Sequence, residues 1–248
     1  MSKRVAIVTG GIGGLGTEIC KYLARSGRFV VAADLASRSE RVETFRQEMA
    51  EFGDGVVFES LNVTDFAACA ALIERVATAH GPVSILVNTA GITRDTSLRK
   101  MAPEQWIDVL KVNLEGVFNM CRHVVDGMTA QGFGRIVNIS SVNGQTGQFG
   151  QTNYSAAKAG MHGFTMALAR EVAKKGVTVN SVSPGYCNTA LVQAVPEEIR
   201  NQIIAGIPVG RLGEPREIAR VVDFLAADDA GFITGANIPV NGGYFMDF

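Results

Sequence analysis

Residues 5–19, VAIVTGGIGGLGTEI, decide the fold. A strand-length apolar run, Val5 to Thr9, ends on Gly10 and Gly11, and a helical pattern starts near residue 14. Strand, glycine turn and helix in that order let backbone approach a pyrophosphate. Gly10, Gly14 and Gly16 remove side-chain obstruction around Leu15, and the helix N-terminus supplies unpaired N–H groups and the positive end of its dipole. A second apolar run, FVVAA at 29–33, closes on Asp34, eighteen residues beyond Gly16. That is the context in which a glycine turn reads as a dinucleotide site.

The same alternation continues outward. VVFES (56–60), SILVN (84–88), RIVNIS (135–140), VTVNSV (177–182) and NIPV (237–240) read as strands. Helical patterns fill 14–26, 38–52, 65–80, 103–130 and 152–174 between them. Strands that are apolar throughout, rather than alternating, belong in a parallel sheet covered on both faces. Repeated βα units make it a doubly wound α/β (Rossmann) fold of about seven strands. Thr64-Asp65 can cap the helix that follows, and Pro103 suits a first turn. No linker or repeat interrupts 1–248, so a single domain is expected. The stretch 186–214 is too long for an ordinary connection and carries Pro196 and Pro208. It reads either as a substrate cover or as a plain surface excursion.

Composition narrows the function classes. With 23 basic and 24 acidic residues the net charge is -1, and no block of like charge suggests a nucleic-acid or polybasic membrane partner. No apolar run reaches membrane-spanning length. The apolar part of MSKRVAIVTGG is too short for a signal peptide and reads as the first strand. Cys20, Cys69, Cys121 and Cys187 are scattered without CxxC spacing, so no metal site is expected and reduced thiols in a cytoplasmic setting are the default. His80, His123 and His162 are too dispersed for a metal, and His162 reads as a packing or surface residue.

The reaction is written in GRIVNISSVNGQTGQFGQTNYSAAKAGMHG, 134–163. Tyr154 and Lys158, four apart on a helix, project from one face. Ser141 lies where the fifth apolar run gives way to glycine and polar residues. A hydroxyl, a phenol and an ammonium at the end of a strand suit proton transfer to a carbonyl oxygen. Asp34 bears on the cofactor: its carboxylate can accept from both ribose hydroxyls of NAD, whereas a 2′-phosphate there meets like charge, about 4 kcal/mol for a pair at ~4 Å in an effective dielectric of ~20. No Lys or Arg lies within Gly11–Gly13, although Arg38 could swing over. Asp34 could instead merely cap the next helix. Asn88-Thr89-Ala90-Gly91 ends the fourth strand with small residues that let backbone pass close to a ligand, or form a tight turn.

With the glycine turn, NTAG and the Ser–Tyr–Lys set together, the chain resembles the short-chain dehydrogenase/reductase family over essentially its whole length. TGxxxGxG matches Thr9 to Gly16, and the Asn-Asn-Ala-Gly motif matches Asn88, Ala90 and Gly91, with Thr89 as one departure. The resemblance implies an adenine contact at Asn62 with Val63 beside it, Pro184-Gly185 after the sixth strand, Thr189 at the nicotinamide carboxamide, and Asn113 holding a water behind Lys158. It implies Ser141 polarising a carbonyl with Ser140 left as backbone support, Tyr154 as general acid with its pKa lowered by Lys158 and by the oxidised nicotinamide, and Lys158 on the nicotinamide ribose.

Within the family, GITRD (91–95), RKM (99–101), SVNGQ (141–145), GQFGQTNYS (147–155) and HGFTMALA (162–169) are most similar to the acetoacetyl-CoA reductases of polyhydroxyalkanoate synthesis. That implies reduction of a 3-oxoacyl-CoA to the (R)-3-hydroxyacyl-CoA by a homotetramer, with Asp95, Gln148, Phe149, Gln151 and Tyr186 bordering the substrate. The related 3-oxoacyl-[acyl-carrier-protein] reductases carry two basic docking residues; Lys175 matches one, but the other position is Gly132. Reductases of the closest group usually take NADPH, so Asp34 is a departure that points to NADH as preferred, with NADPH possible.

Overall fold

β-Branched and aliphatic runs that can bury both faces pair side by side, and here they build one parallel sheet of seven strands. The computed structural model describes residues 3–246; residues 1–2 and 247–248 of the expected domain lie outside it. The strands are β1 (Val5–Thr9), β2 (Phe29–Asp34), β3 (Val56–Ser60), β4 (Val83–Asn88), β5 (Gly134–Ile139), β6 (Val177–Pro184) and β7 (Asn237–Val240), in the order β3-β2-β1-β4-β5-β6-β7. The expected doubly wound architecture is therefore observed. Between β1 and β4 the order reverses, and ligands of such sheets lie beyond the strand ends at that point.

Alternate side chains of each inner strand serve two cores. Ala6, Val8, Val30 and Ala32 face α1 (Gly14–Arg25) and α10 (Pro215–Leu225), packing on Ile19, Leu23, Ile218 and Val222. Val5, Ile7, Val31 and Leu86 face the other layer, where α3 (Phe66–His80), α5 (Gly116–Gln131) and α7 (Thr152–Val172) bring Leu72, Met120 and Met161. The apolar-throughout pattern loosens at the edges, where β3 and β7 are half-exposed.

Three segments depart from the expected boundaries. The helix expected over 38–52 is α2 (Ser39–Glu48), followed by 3-10 turns over 50–55 in which Gly53 takes a positive φ of 52°. The long helix expected over 103–130 is α4 (Pro103–Leu110), a π-helical turn (Lys111–Glu115) and then α5, which closes on the left-handed Gly132. A π turn adds one residue to the ring and leaves no trace in hydrophobic periodicity. The short α6 (Asn143–Thr146) follows β5, and between β6 and α10 lie α8 (Ala190–Gln193) and α9 (Glu197–Ala205). The Asp65 side chain caps α3 by accepting from the Ala68 N–H at 2.9 Å, and Pro103 opens α4. Among the described residues no helix is long and apolar enough to cross a membrane.

Candidate active site

The glycine turn is shaped by close backbone approach. Gly10 has φ +64°, and a Cβ there would meet Ala90 N at 2.8 Å; a Cβ on Gly16 would meet the Gly10 carbonyl at 2.2 Å. The first i→i−4 bond of α1 runs from Thr17 N–H to Gly13 O at 2.9 Å, which leaves the N–H groups of Gly14, Leu15 and Gly16 free of helical partners. No acidic side chain in the first turn competes for them. The Thr9 hydroxyl accepts from Thr89 N–H (3.1 Å) and Ala90 N–H (3.3 Å), tying β4's end to the turn. Asn88 donates to Asn138 Oδ1 at 2.8 Å, and Asn138 donates to Thr165 at 2.9 Å, so a row of amides links β4, β5 and α7. Thr89 Oγ1 is buried with no protein partner beside this opening.

Asp34 ends β2 at 9% exposure. One carboxylate oxygen accepts from Leu35 N–H (2.8 Å), and the other meets Arg38 Nη1 at 3.3 Å. Sequence reasoning missed Arg41. Its guanidinium crosses from α2 to the glycine turn, donating to Ile12 O (2.5 Å), Thr17 Oγ1 (2.6 Å) and Glu48 (2.8 Å). A contact spanning 29 residues has no local signal. A glycine cradle that a Cβ would fill, free N–H groups at a helix start, an orphaned threonine hydroxyl and a carboxylate at the end of β2 together fit a dinucleotide.

β5 and α7 bring the expected Ser–Tyr–Lys set together. Ser141, Tyr154 and Lys158 line one cleft of about 530 Å³ with Leu15, Thr89, Gly91, Gln151, Pro184, Gly185, Tyr186 and Thr189. Lys158 is 3% exposed and donates to the Ile139 carbonyl at 2.7 Å, with its Nζ 5.6 Å from the Tyr154 ring centre. Burial pushes its pKa down to about 8. Ser140 Oγ donates to the Lys158 carbonyl (2.9 Å), the backbone role expected of it. The Asn143 N–H donates to Ser141 Oγ at 3.1 Å, which leaves the Ser141 O–H to point elsewhere.

The expected lowering of the Tyr154 pKa is not found in the protein alone. Burial raises it, the Ser141 hydroxyl opposes this, and the charge of Asp95 adds to the rise. Lys158 donates an N–H to the Ile139 carbonyl and makes no hydrogen bond to the phenol.

Asn113 sits in the π turn at 0% exposure, where its side chain accepts from Ile92 N–H (2.8 Å) and donates to Ile92 O (3.0 Å). A Cβ on Gly91 would lie 3.4 Å from Asn113 Oδ1 and 3.7 Å from Lys158 Nζ, so glycine keeps the space between those groups open. Asn62 is exposed and accepts from Thr64 N–H at 3.1 Å within its own loop. Val63 packs at α5, its carbonyl accepting from Asn119 at 2.8 Å.

On the substrate side the structure divides the expected residues. Gln151 and Tyr186 line the cleft. Gln151 donates to Asp95 Oδ2 (2.8 Å) and accepts from Asn143 Nδ2 (2.9 Å), giving a carboxylate-anchored chain that ends at Ser141's neighbour. Asp95 reaches the cleft through that chain. Gln148 and Phe149 do not line it: they stand between Gly147 (φ 73°) and Gly150 (φ 80°), whose left-handed turns project them outward, and Phe149 is 89% exposed. Above the glycine turn, Thr189 comes within 3.3 Å of where a Gly14 Cβ would stand. The neck of segment 186–214 is closed by Asn188 N–H to Gly213 O (2.7 Å) and Gly213 N–H to Tyr186 O (2.9 Å).

The sequence profile of the short chain dehydrogenase family matches residues 4–200. The chain belongs to that family. It is 54% identical over 243 residues to an acetoacetyl-CoA reductase of Allochromatium vinosum, covering 98% of this chain and 99% of the relative. An acetoacetyl-CoA reductase of Rhizobium meliloti is 56% identical over 244 residues, with the same coverage. A 3-oxoacyl-[acyl-carrier-protein] reductase of Haemophilus influenzae is 43% identical over 246 residues, covering 99% of this chain and all of the relative. Membership makes this chain a short-chain oxidoreductase with an NAD(P) cofactor.

Proposed function

We propose that this protein reduces acetoacetyl-CoA, a 3-oxoacyl-CoA, to (R)-3-hydroxybutyryl-CoA, as in polyhydroxybutyrate synthesis, with NADH as preferred reductant. The observation that carries the reading is the cleft in which Ser141, Tyr154 and Lys158 face one another beside the glycine turn. The 54% and 56% identity to acetoacetyl-CoA reductases supports the substrate.

The turn at Gly10, Gly14, Leu15 and Gly16 would hold the pyrophosphate, and Asp34 the adenosine ribose. Asn62, Val63, Asn88, Ala90 and Gly91 would flank the adenosine half, and Pro184, Gly185 and Thr189 the nicotinamide. When bound, the reduced nicotinamide supplies a hydride to the carbonyl carbon. The chain's own part concerns the oxygen. Ser141, already accepting from Asn143 N–H, donates its hydroxyl hydrogen to the carbonyl oxygen and stabilises the charge that develops there. Tyr154 donates the proton that completes the alcohol. A phenol held above its ordinary pKa stays protonated at neutral pH, the form an acid in the reductive direction needs. Lys158, at about 8, is still mostly protonated at neutral pH and stands ready to restore that proton. Asn113 would continue the relay through the space that Gly91 leaves open.

The NADH preference rests on Asp34. Arg38 and Arg41, which could otherwise meet a 2′-phosphate, are engaged by Asp34 and by Glu48. A carrier-protein thioester is the rival substrate. Gly132 argues against it, because the position of one basic docking residue is a left-handed helix cap without a side chain. We read residues 1–248 as one domain with 186–214 as its substrate cover, working as a cytoplasmic homotetramer. The apolar groove along α4, α5 and α7, lined by Trp106, Ile107, Leu110, Leu114, Phe118 and Phe164, is a surface that such an assembly would bury.

Initial rates with acetoacetyl-CoA and with an acetoacetyl carrier protein, each with NADH and NADPH, test this reading. Higher kcat/KM for the CoA ester with NADH supports it. A preference for the carrier-bound thioester overturns the substrate, and a preference for NADPH overturns the role of Asp34.

A further inference from the structure

Tyr244 belongs to no motif used above. It follows β7 in a tight turn in which its N–H donates to Asn241 O (3.1 Å), Gly243 N–H to Asn241 Oδ1 (3.0 Å) and Asn241 Nδ2 to Phe245 O (2.9 Å). From this turn its ring meets Tyr186 edge-on, with centroids 5.5 Å apart and planes at 78°. Burial, and after it the neighbouring Tyr244 phenol, raise the Tyr186 pKa. Tyr186 lines the cleft; Tyr244 does not.

On its other side the Tyr244 ring faces the end of α9. A Cβ on Gly206, the helix's C-cap, would lie 3.5 Å from Tyr244 Cε2. The same turn holds the loop that follows α9, since Val209 N–H donates to Gly242 O at 3.1 Å. This matters because α9 has no buried residue of its own. An element with so little apolar burial opens at low free energy, and its position depends on the few contacts at its ends.

We infer that Tyr244 is a positioning residue for the acyl-CoA wall: by holding Tyr186 and the trailing end of α9 in one arrangement, it sets affinity for the acyl-CoA without touching the reacting atoms. The inference rests on the reading of this cleft as an acyl-CoA site. A turn after the last strand thus contributes to substrate choice through the cover.

The test uses the full chain with Tyr244→Phe, which keeps the ring and removes the hydroxyl, and Tyr244→Ala, which removes both. In Tyr244→Ala the KM for acetoacetyl-CoA should rise about fivefold, the worth of one edge-on ring contact, with the KM for NADH within about twofold of wild type. Tyr244→Phe, which keeps that contact, should stay near wild type. Amide hydrogen exchange over 197–206 should quicken in Tyr244→Ala while α10 keeps its protection. Unchanged KM values in Tyr244→Ala, equal rises for both substrates, or exchange that quickens throughout the molecule would overturn the inference. If the wild type does not reduce acetoacetyl-CoA, the substrate reading fails and the exchange arm decides the tether: faster exchange confined to α9 supports it, and unchanged exchange refutes it.

Discussion

Replacing Lys158 with methionine should stabilise the cofactor-free protein at neutral pH while abolishing turnover. Lys158 is 3% exposed, and its one hydrogen bond runs to the Ile139 carbonyl; among the described residues no carboxylate pairs with it. Its ordinary value of 10.5 falls to about 8 through burial alone. The unfolded chain therefore keeps this proton to higher pH than the folded chain does. Stability rises with pH between about 8 and 10.5, and the whole penalty is present below that window. A shift of this size corresponds to about 3 kcal/mol. Leaving the Ile139 carbonyl unpaired returns about 1 kcal/mol of that, so Lys158→Met should gain about 2 kcal/mol near neutrality. In a chain of this length that is a rise in Tm of about 4–8 °C. Thermal or urea unfolding near pH 6.5 and again near pH 9.5, without cofactor, provides the check. The variant's advantage should shrink to near zero at about pH 9.5, where most of the wild-type penalty has been relieved. A variant less stable near pH 6.5, or an advantage equal at both pH values, would show that Lys158 carries no such burial penalty.

The other expectations are briefer. Asp34→Ala should move the ratio of kcat/KM values toward NADPH by at least about tenfold, because a like-charge contact is removed; an unchanged ratio would take Asp34 out of discrimination. Gly16→Ala places a methyl 2.2 Å from the Gly10 carbonyl, so NADH binding measured by fluorescence titration should be lost with the turn geometry. Overpacking there should also lower stability by about 1–3 kcal/mol. Gln151→Ala breaks the chain from Asp95 to Asn143, and the KM for acetoacetyl-CoA should rise about fivefold with NADH affinity nearly unchanged. Asp95→Asn removes a charge that raises the Tyr154 pKa, so the alkaline fall in the reductive rate should move to lower pH; a profile that does not move would separate Asp95 from the phenol.

The fold was legible because its signals are local and repeated. Valine- and isoleucine-rich runs covered on both faces, and a glycine turn between the first run and a helix, specify a parallel sheet and its switch point without any long-range information. Tyr154 and Lys158 were legible through helical spacing, and Ser141 through the end of the strand before them. What escaped is what tertiary contact decides. The π turn that aims Asn113 at Ile92 has no periodic signature. Arg41 reaches the glycine turn across 29 residues, and Tyr244 meets Tyr186 from the far end of the chain. Spacing puts a lysine near the Tyr154 phenol but does not reveal that the ammonium donates to the Ile139 carbonyl. Phe149, which the resemblance set beside the substrate, stands exposed outside the cleft between two glycines of positive φ.

The central claim is that Tyr154 delivers the proton in reduction of a 3-oxoacyl-CoA. Its most direct test is the rate of acetoacetyl-CoA-dependent NADH oxidation by wild type and Tyr154→Phe, with NADH binding measured on both and the product's configuration determined. Wild type should form the (R)-3-hydroxy ester, and Tyr154→Phe should bind NADH as tightly yet turn over at least about a thousandfold more slowly, within the range by which a positioned acid contributes. Comparable turnover by the two proteins, or no acetoacetyl-CoA reduction by the wild type, would contradict the account.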